Sequence, residues 1–248
     1  MALARAHLES LLRVRQLDRT LTTSLTPLDP DDDTALSPSG AIGLDARLGG
    51  GFPRGQLSEL VGPRSSGRAS LLMQMMAAAT ARGELVALID ALDMFDVESA
   101  ASAGVDLSRL LWIRGHVVIN PGLCRDLNQR ALEQVIRALT LVLQAGNFGL
   151  VVFDIVEAPT DAVRRLPFTT WMRLQRMIEG SQTACVLVGG QPMARSAAGL
   201  TLQLSTKNVD GGRRFSGQLF DGLDIQARVI RARAREREEV CVGLSTSA

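Results

Sequence analysis

Tyrosine is absent from this chain of 248 residues, and tryptophan, histidine and cysteine are scarce, with two, two and three copies. His7 and His116 are too few to build a histidine-centred catalytic triad or a metal cluster. Cys124, Cys185 and Cys241 show no C-x-x-C spacing, so we expect no zinc site and no disulfide framework, which fits a reducing compartment. Few aromatic rings are available to stack on single-stranded bases.

Long apolar runs and a strong charge of one sign are also missing. No run reaches the ~20 residues that span a bilayer. The N-terminus has no signal-peptide pattern, so we expect a cytoplasmic protein. The formal net charge of +1 argues neither for nor against a nucleic-acid partner. Lys207 is the single lysine beside 26 arginines, which is typical of a GC-rich coding sequence.

The N-terminal part differs in composition from the rest. Residues 1–22 carry apolar side chains at helical spacing with arginines between them, which predicts an amphipathic helix. Residues 23–39 are rich in Thr, Ser, Pro and Asp, and we expect a linker. The helix could bind in a partner's groove or fold back on its own domain. Its apolar anchors are Leu8, Leu11, Leu12, Val14 and Leu17.

Residues 40–248 show strand and helix patterns in regular alternation, which predicts an α/β fold with a mostly parallel central sheet flanked by helices. After residue 200 the pattern changes to alternating segments with a turn signal at 209–213, so we expect antiparallel strands near the C-terminus. The strands are predicted at 56–61, 85–90, 110–114, 150–154 and 183–188, and the helices at 68–81, 96–103, 127–143 and 168–178.

The most informative motif has the G-x-x-x-x-G-K-[ST] frame of a phosphate-binding loop (P-loop). A predicted strand precedes it and a predicted helix follows it. In such a loop, backbone N–H groups and the helix N-terminus cradle the phosphates. The candidate nucleotide site is therefore Gly62, Ser65, Ser66, Gly67, Arg68, Ala69 and Ser70. The alternative is a glycine-rich strand–helix turn that never bound a nucleotide.

Two positions depart from this frame. Arg68 stands where a lysine reaches the β- and γ-phosphates, and arginine is not equivalent to lysine at a fitted site. Ala69 offers no oxygen for magnesium, and Ser70 is rotated by ~100° on the helix. We expect weak binding of ATP and magnesium at most, no efficient hydrolysis and no other metal.

Two further features lie outside the loop. Asp154 ends an apolar strand, in the pattern of the acid that helps hold magnesium in P-loop proteins. Acids at strand ends are also common without that role. Arg231, Arg233 and Arg235 alternate, so on a strand they would share one face and could contact DNA phosphates. A charged edge strand that resists unwanted pairing is the more frequent origin of such a pattern.

The order of these motifs resembles the RecA recombinase family, from about Ser37 to the C-terminal region. The segments 38–45 and 49–55 are similar to the approach to the RecA core, and 62–67 is close to the RecA version of the loop. Gln191 resembles the glutamine that couples nucleotide to the DNA-binding loop in RecA. The resemblance implies a RecA-like core.

The sequence departs from the RecA pattern where that family carries its chemistry. Leu92 occupies the place of the catalytic glutamate, so no general base is present there. The segment 192–199 is far shorter than the mobile DNA-binding loop, and no recognisable first DNA loop follows Asp154. With Arg68 and Ala69, these departures predict a protein that is not an enzyme and has no catalytic residues.

Within that superfamily, size and pattern look most like the ImuA family, RecA-like accessory proteins of SOS mutagenesis and translesion synthesis after DNA damage. The resemblance implies contacts with RecA, with an ImuB-like Y-family polymerase homologue and with a DnaE-type polymerase, and no membrane. The alternatives are a weak ATP-binding switch, a DNA-binding RecA paralogue of recombinational repair and a SulA-like cell-division inhibitor.

Overall fold

A computed structural model describes residues 35–116, 125–206, 223–232 and 239–244 of the chain. The strands are β1 (Leu36–Ser37), β2 (Phe52–Pro53), β3 (Leu57–Val61), β4 (Val86–Asp90), β5 (Leu110–Arg114), β6 (Leu150–Asp154), β7 (Ala184–Gly189), β8 (Ala198–Thr206), β9 (Leu223–Ala232) and β10 (Glu239–Leu244). The helices are α1 (Ile42–Leu48), α2 (Arg68–Ala81), α3 (Val97–Ser102), α4 (Arg125–Ala145), α5 (Thr160–Arg164) and α6 (Phe168–Ile178).

Eight of these strands form one sheet in the order β10-β9-β8-β3-β7-β6-β4-β5. The six strands from β8 to β5 are parallel to one another. β9 pairs antiparallel with β8, and β10 pairs antiparallel with β9. The prediction of a mostly parallel sheet with antiparallel strands near the C-terminus is therefore confirmed. β1 and β2 form a separate two-stranded sheet.

The strands β4, β6 and β7 are buried on both faces along almost their whole length, which explains why they are nearly continuous apolar runs in the sequence. The edge strand β5 is only partly buried. Alternate residues face opposite sides: Leu88 belongs to the core beneath α1, α2 and α3, and Ile89 to the core beneath α4, α5 and α6. Cys185 lies in the second of these cores, and burial raises the pKa of its thiol to about 12.

The sequence patterns located the long elements but missed four short ones. α1, α5, β1 and β2 are too short for a periodic pattern to stand out. β1 lies inside the range predicted as a linker, and its Leu36 pairs with Pro53. Several predicted features lie outside the described residues: the helix 1–22, residues 23–34, the turn 209–213, Arg233 and Arg235. No helix in the described ranges is long and apolar enough to cross a membrane.

Candidate functional site

The loop between β3 and α2 is held in a shape that few sequences allow. The N–H of Gly62 donates to the carbonyl oxygen of Gly189 at 3.3 Å, and an added Cβ would lie 2.4 Å from the carbonyl oxygen of Leu204, so only glycine fits. Ser65 and Gly67 have φ angles of +59° and +86°, in the left-handed region. Turns of this kind form anion-binding concavities from backbone N–H groups.

A cavity of about 640 Å³ lies against this loop. We call it the P-loop cavity. It is defined by residues 64–70 of the loop and helix α2, by the apolar side chains of Met94 and Phe95, and by Asp154, Val156 and Glu157 at and just beyond the end of β6. The hydroxyl oxygen of Ser66 is buried beside it and has no hydrogen-bond partner. The N-terminus of the 14-residue helix α2 also faces the cavity. These features suit an anion.

The side chain of Arg68 is directed toward the end of β7. One terminal nitrogen of its guanidinium donates to the carbonyl oxygen of Gly189 at 2.7 Å, and the residue is only 8% exposed. Burial lowers the pKa of Arg68, while the charges of Asp154 and Glu157 act in the opposite direction. Arginine nevertheless keeps its charge in proteins. The charged guanidinium therefore already donates one hydrogen bond to the backbone carbonyl oxygen of Gly189.

Asp154 stands where the sequence predicted it, at the C-terminal end of β6. Its Oδ1 accepts the N–H of Val156 at 3.0 Å, and its strand neighbour on β4 is Asp90. Burial raises the pKa of Asp154 to about 6, and the charges of Asp90 and Glu157 add to the effect. The bond from Val156 and the charge of Arg68 partly oppose it. The carboxyl group of Asp154 therefore takes up a proton at a higher pH than an ordinary aspartate does.

The donor set around the loop is a poor match for magnesium. Magnesium prefers hard oxygen ligands from carboxylates, waters and phosphates. Ala69 offers a methyl group, and in the described ranges no three Asp, Glu, His or Cys side chains cluster closely enough to hold a metal ion. The loop geometry fits an anion, whereas the side chains do not fit an ATP–magnesium pair.

An ion pair that the sequence did not reveal joins two sides of the P-loop cavity. Arg64 of the loop binds Glu157, with its Nε 3.1 Å from Oε1 and its Nη2 in contact with Oε2. The hydrogen bond from Arg64 holds the pKa of Glu157 below its usual range. The two residues are far apart in the chain, and no fixed spacing connects them, so only the folded structure brings them together.

Leu92 lies immediately beyond β4 and packs against the core beneath α4, α5 and α6. Asp90, at the end of the same strand, accepts the backbone N–H groups of Leu92 and Phe95 at 3.3 and 2.8 Å and the indole N–H of Trp112 at 3.3 Å. Asp90 therefore fixes the turn that brings Phe95 to the P-loop cavity. In this turn the side chain that occupies the predicted general-base position is a hydrocarbon.

The remaining predicted residues lie away from this cavity. Gln191 follows β7, is exposed, and lines a different cavity that is described below. Arg231 is exposed near the end of β9, and its guanidinium donates to the carbonyl oxygen of Arg195. The five apolar anchors of the predicted N-terminal helix are outside the described residues.

P-loop α/β proteins are defined by a mostly parallel sheet in which a P-loop connects a strand to the following helix. Here the P-loop connects β3 to α2. The family model "RecA N-terminal domain" matches residues 15–162, more than half of the chain, so the chain belongs to the RecA family. It is 39% identical over 122 residues to Protein RecA of Acholeplasma laidlawii, covering 49% of this chain and 33% of that protein.

Other relatives match over similar stretches. Protein RecA of Nautilia profundicola is 35% identical over 153 residues, which cover 60% of this chain and 40% of that protein. Protein RecA of Porphyromonas gingivalis (strain ATCC BAA-308 / W83) is 46% identical over 83 residues, which cover 33% of this chain and 24% of that protein. The matches therefore span well under half of the length of these relatives.

Proposed function

We propose that the chain is a non-catalytic RecA-like accessory protein of DNA-damage-induced mutagenesis and translesion synthesis, of the ImuA type. It acts through contacts with RecA, with an ImuB-like Y-family polymerase homologue and with a DnaE-type polymerase. The observation that carries the non-catalytic part is the arrangement of three side chains: Arg68 is bound to Gly189 and Ala69 ends in a methyl group, both at the P-loop cavity, and Leu92 beyond β4 packs against the core.

Each of these features removes a different part of nucleotide hydrolysis. Phosphoryl transfer needs a cation at the γ-phosphate, a ligand for magnesium and a group that orients the attacking water. Arg68 shares its charge with a carbonyl oxygen, and the side chains of Ala69 and Leu92 contain neither oxygen nor nitrogen. The sheet, the shape of the loop and the helix are nevertheless retained. This supports a function that uses the fold without nucleotide hydrolysis.

Binding to partner proteins is the function that the sequence supports best. The apolar stripe of residues 8–17 offers anchors for a partner's groove. We expect Leu11→Asp to weaken binding to RecA or to the polymerase homologue at least about tenfold, because it puts a charge on the apolar face. Gln16→Asp, a polar position of the same segment, is the matched control. Equal affinities for both variants and the wild type would contradict the proposal.

A weak ATP-binding switch is the second candidate, because Ser66 has a buried, unpartnered hydroxyl beside an anion-shaped loop. Isothermal titration with ATP and magnesium, with Arg68→Ala in parallel, separates the two candidates. The non-catalytic proposal predicts no hydrolysis and little or no binding at millimolar ATP. Saturable binding that Arg68→Ala abolishes would favour the switch.

A further inference from the structure

A second cavity of about 360 Å³ lies at the carboxyl ends of β6 and β7, next to the P-loop cavity. Its floor is apolar and includes Ile155, Leu166 and Trp171, which are at most 8% exposed. Its volume is at the lower end of the range for ligand pockets, so it has room for one or two side chains. We call it the β6–β7 cavity.

The charges at this cavity have one sign. Arg164 and Arg195 line it and are exposed, and no acidic side chain is among its lining residues. Within the described ranges, neither guanidinium takes part in an ion pair. Planar guanidinium groups bind carboxylates through paired hydrogen bonds. An anionic group that sits next to an apolar side chain complements this surface.

One wall of the cavity is held rigidly. The buried carboxylate of Glu59 accepts the backbone N–H groups of Met193 and Ala194, both at 2.6 Å, and the hydroxyl of Thr201 at 2.8 Å. Arg195, the next residue, has a φ of +50°, and its carbonyl oxygen accepts the guanidinium of Arg231. A wall fixed in this way lowers the conformational entropy that the protein must lose when a ligand binds.

We propose that the β6–β7 cavity is a docking site for an acidic peptide of a partner protein, one that carries a bulky apolar residue beside carboxylates. The apolar side chain enters the cavity, and the carboxylates bind Arg164 and Arg195. This deepens the proposed function and rests on its premise that the protein acts through protein contacts. Trp171 is 2% exposed, so hardly any of its ring is free for a nucleobase to stack on, which favours a peptide over single-stranded DNA.

Fluorescence anisotropy on the full chain tests the proposal with the labelled probe GSDDLFDSG. We expect saturable binding that weakens at least about tenfold in Arg164→Glu, because the charge reversal repels the carboxylates. Arg165→Glu is the matched control: Arg165 is the exposed neighbour and does not line the cavity, so its variant should bind within about twofold of the wild type. The probes GSNNLFNSG and GSDDAADSG, which lack the carboxylates or the bulky residues, should both lose binding.

Several outcomes would overturn the proposal. These are no binding of GSDDLFDSG at millimolar concentration, equal losses in Arg164→Glu and Arg165→Glu, and unchanged binding of the amide probe. Displacement of the probe by micromolar oligo-dT would make the site one for nucleic acid. Tighter binding of a peptide of residues 25–33 would make the occupant this chain's own N-terminal segment rather than a partner protein. If RecA still binds the full chain while every probe fails, the docking site is wrong and the proposed function stands.

Discussion

Arg68 and Gly189 form a hydrogen bond of 2.7 Å that ties the first residue of α2 to the last residue of β7. The same carbonyl oxygen accepts the N–H of Gly62 at 3.3 Å, so both ends of the P-loop are bound to one atom. The loop is thus closed by contacts within the protein. A phosphate would have to compete with Gly189 for the guanidinium.

Restoring the loop consensus alone should not create an ATPase. We expect Arg68→Lys/Ala69→Thr to bind ATP and magnesium more tightly than the wild type, because the pair supplies an ammonium and a hydroxyl ligand. Hydrolysis should stay at the wild-type level, since Leu92 remains at the position of the general base. A phosphate-release assay checks this, with Ala69→Thr alone as the control. Robust turnover by the double variant would show that another group activates water.

The raised pKa of Asp154 predicts a pH-dependent stability. The folded-state pKa is about 6 against an ordinary 3.8, so the protonated group contributes stability below pH 3.8, and this is lost as the pH rises through 6. Asp154→Asn removes the buried charge, and should raise the free energy of unfolding by about 1 to 3 kcal/mol at pH 8. The gain should vanish near pH 4.

Urea unfolding of Asp154→Asn at several pH values provides the measurement. Asp161→Asn is the control, because Asp161 is an exposed acid in the first turn of α5 and should change stability little at any pH. A gain for Asp154→Asn that is independent of pH would mean that burial of the charge is not its cause.

Glu59 should be one of the most sensitive buried positions. Glu59→Ala leaves two backbone N–H groups and one hydroxyl without their acceptor, and we expect a loss of about 3 kcal/mol or more. Glu59→Gln keeps an acceptor for the two N–H groups and can donate to Thr201, so its loss should be about 1 kcal/mol. Thermal unfolding compares the two variants, and equal losses would refute this account of the three bonds.

Arg54 joins four segments near the amino ends of the strands. Its guanidinium donates to the carbonyl oxygens of Leu36, Gly149 and Gln182 and to the carboxylate of Glu84. Arg54→Lys cannot reproduce this fork and should cost about 1 to 3 kcal/mol.

Arg82→Lys is the matched control for Arg54→Lys. Arg82 pairs with the same carboxylate at 3.0 Å, but its side chain is 30% exposed against 9% for Arg54. Its replacement should cost less than about 1 kcal/mol. Chemical denaturation of both variants measures the difference, and the prediction is wrong if the Arg82 variant loses as much stability.

The α/β class, the bounds of most long elements and the position of the P-loop could all be predicted from the amino-acid sequence. These are local properties: Val86–Asp90 and Leu150–Asp154 are short apolar runs that form buried strands, and Phe168–Ile178 has the apolar periodicity of a helix. The departures from the P-loop and RecA patterns at residues 68, 69 and 92 are likewise visible in the sequence alone.

Which distant residues meet depends on the three-dimensional fold and could not be predicted from sequence patterns. Glu157 faces Arg64, Gly189 accepts Arg68, and Glu59 binds the segment after β7, although no sequence spacing connects these partners. The pKa of Asp154 depends on how much water its neighbours exclude, which is set by packing rather than by the residue itself. The β6–β7 cavity likewise exists because β6 and β7 are neighbours in the sheet. Their paired residues, such as Asp154 and Val188, are 34 positions apart in the chain and meet only after folding.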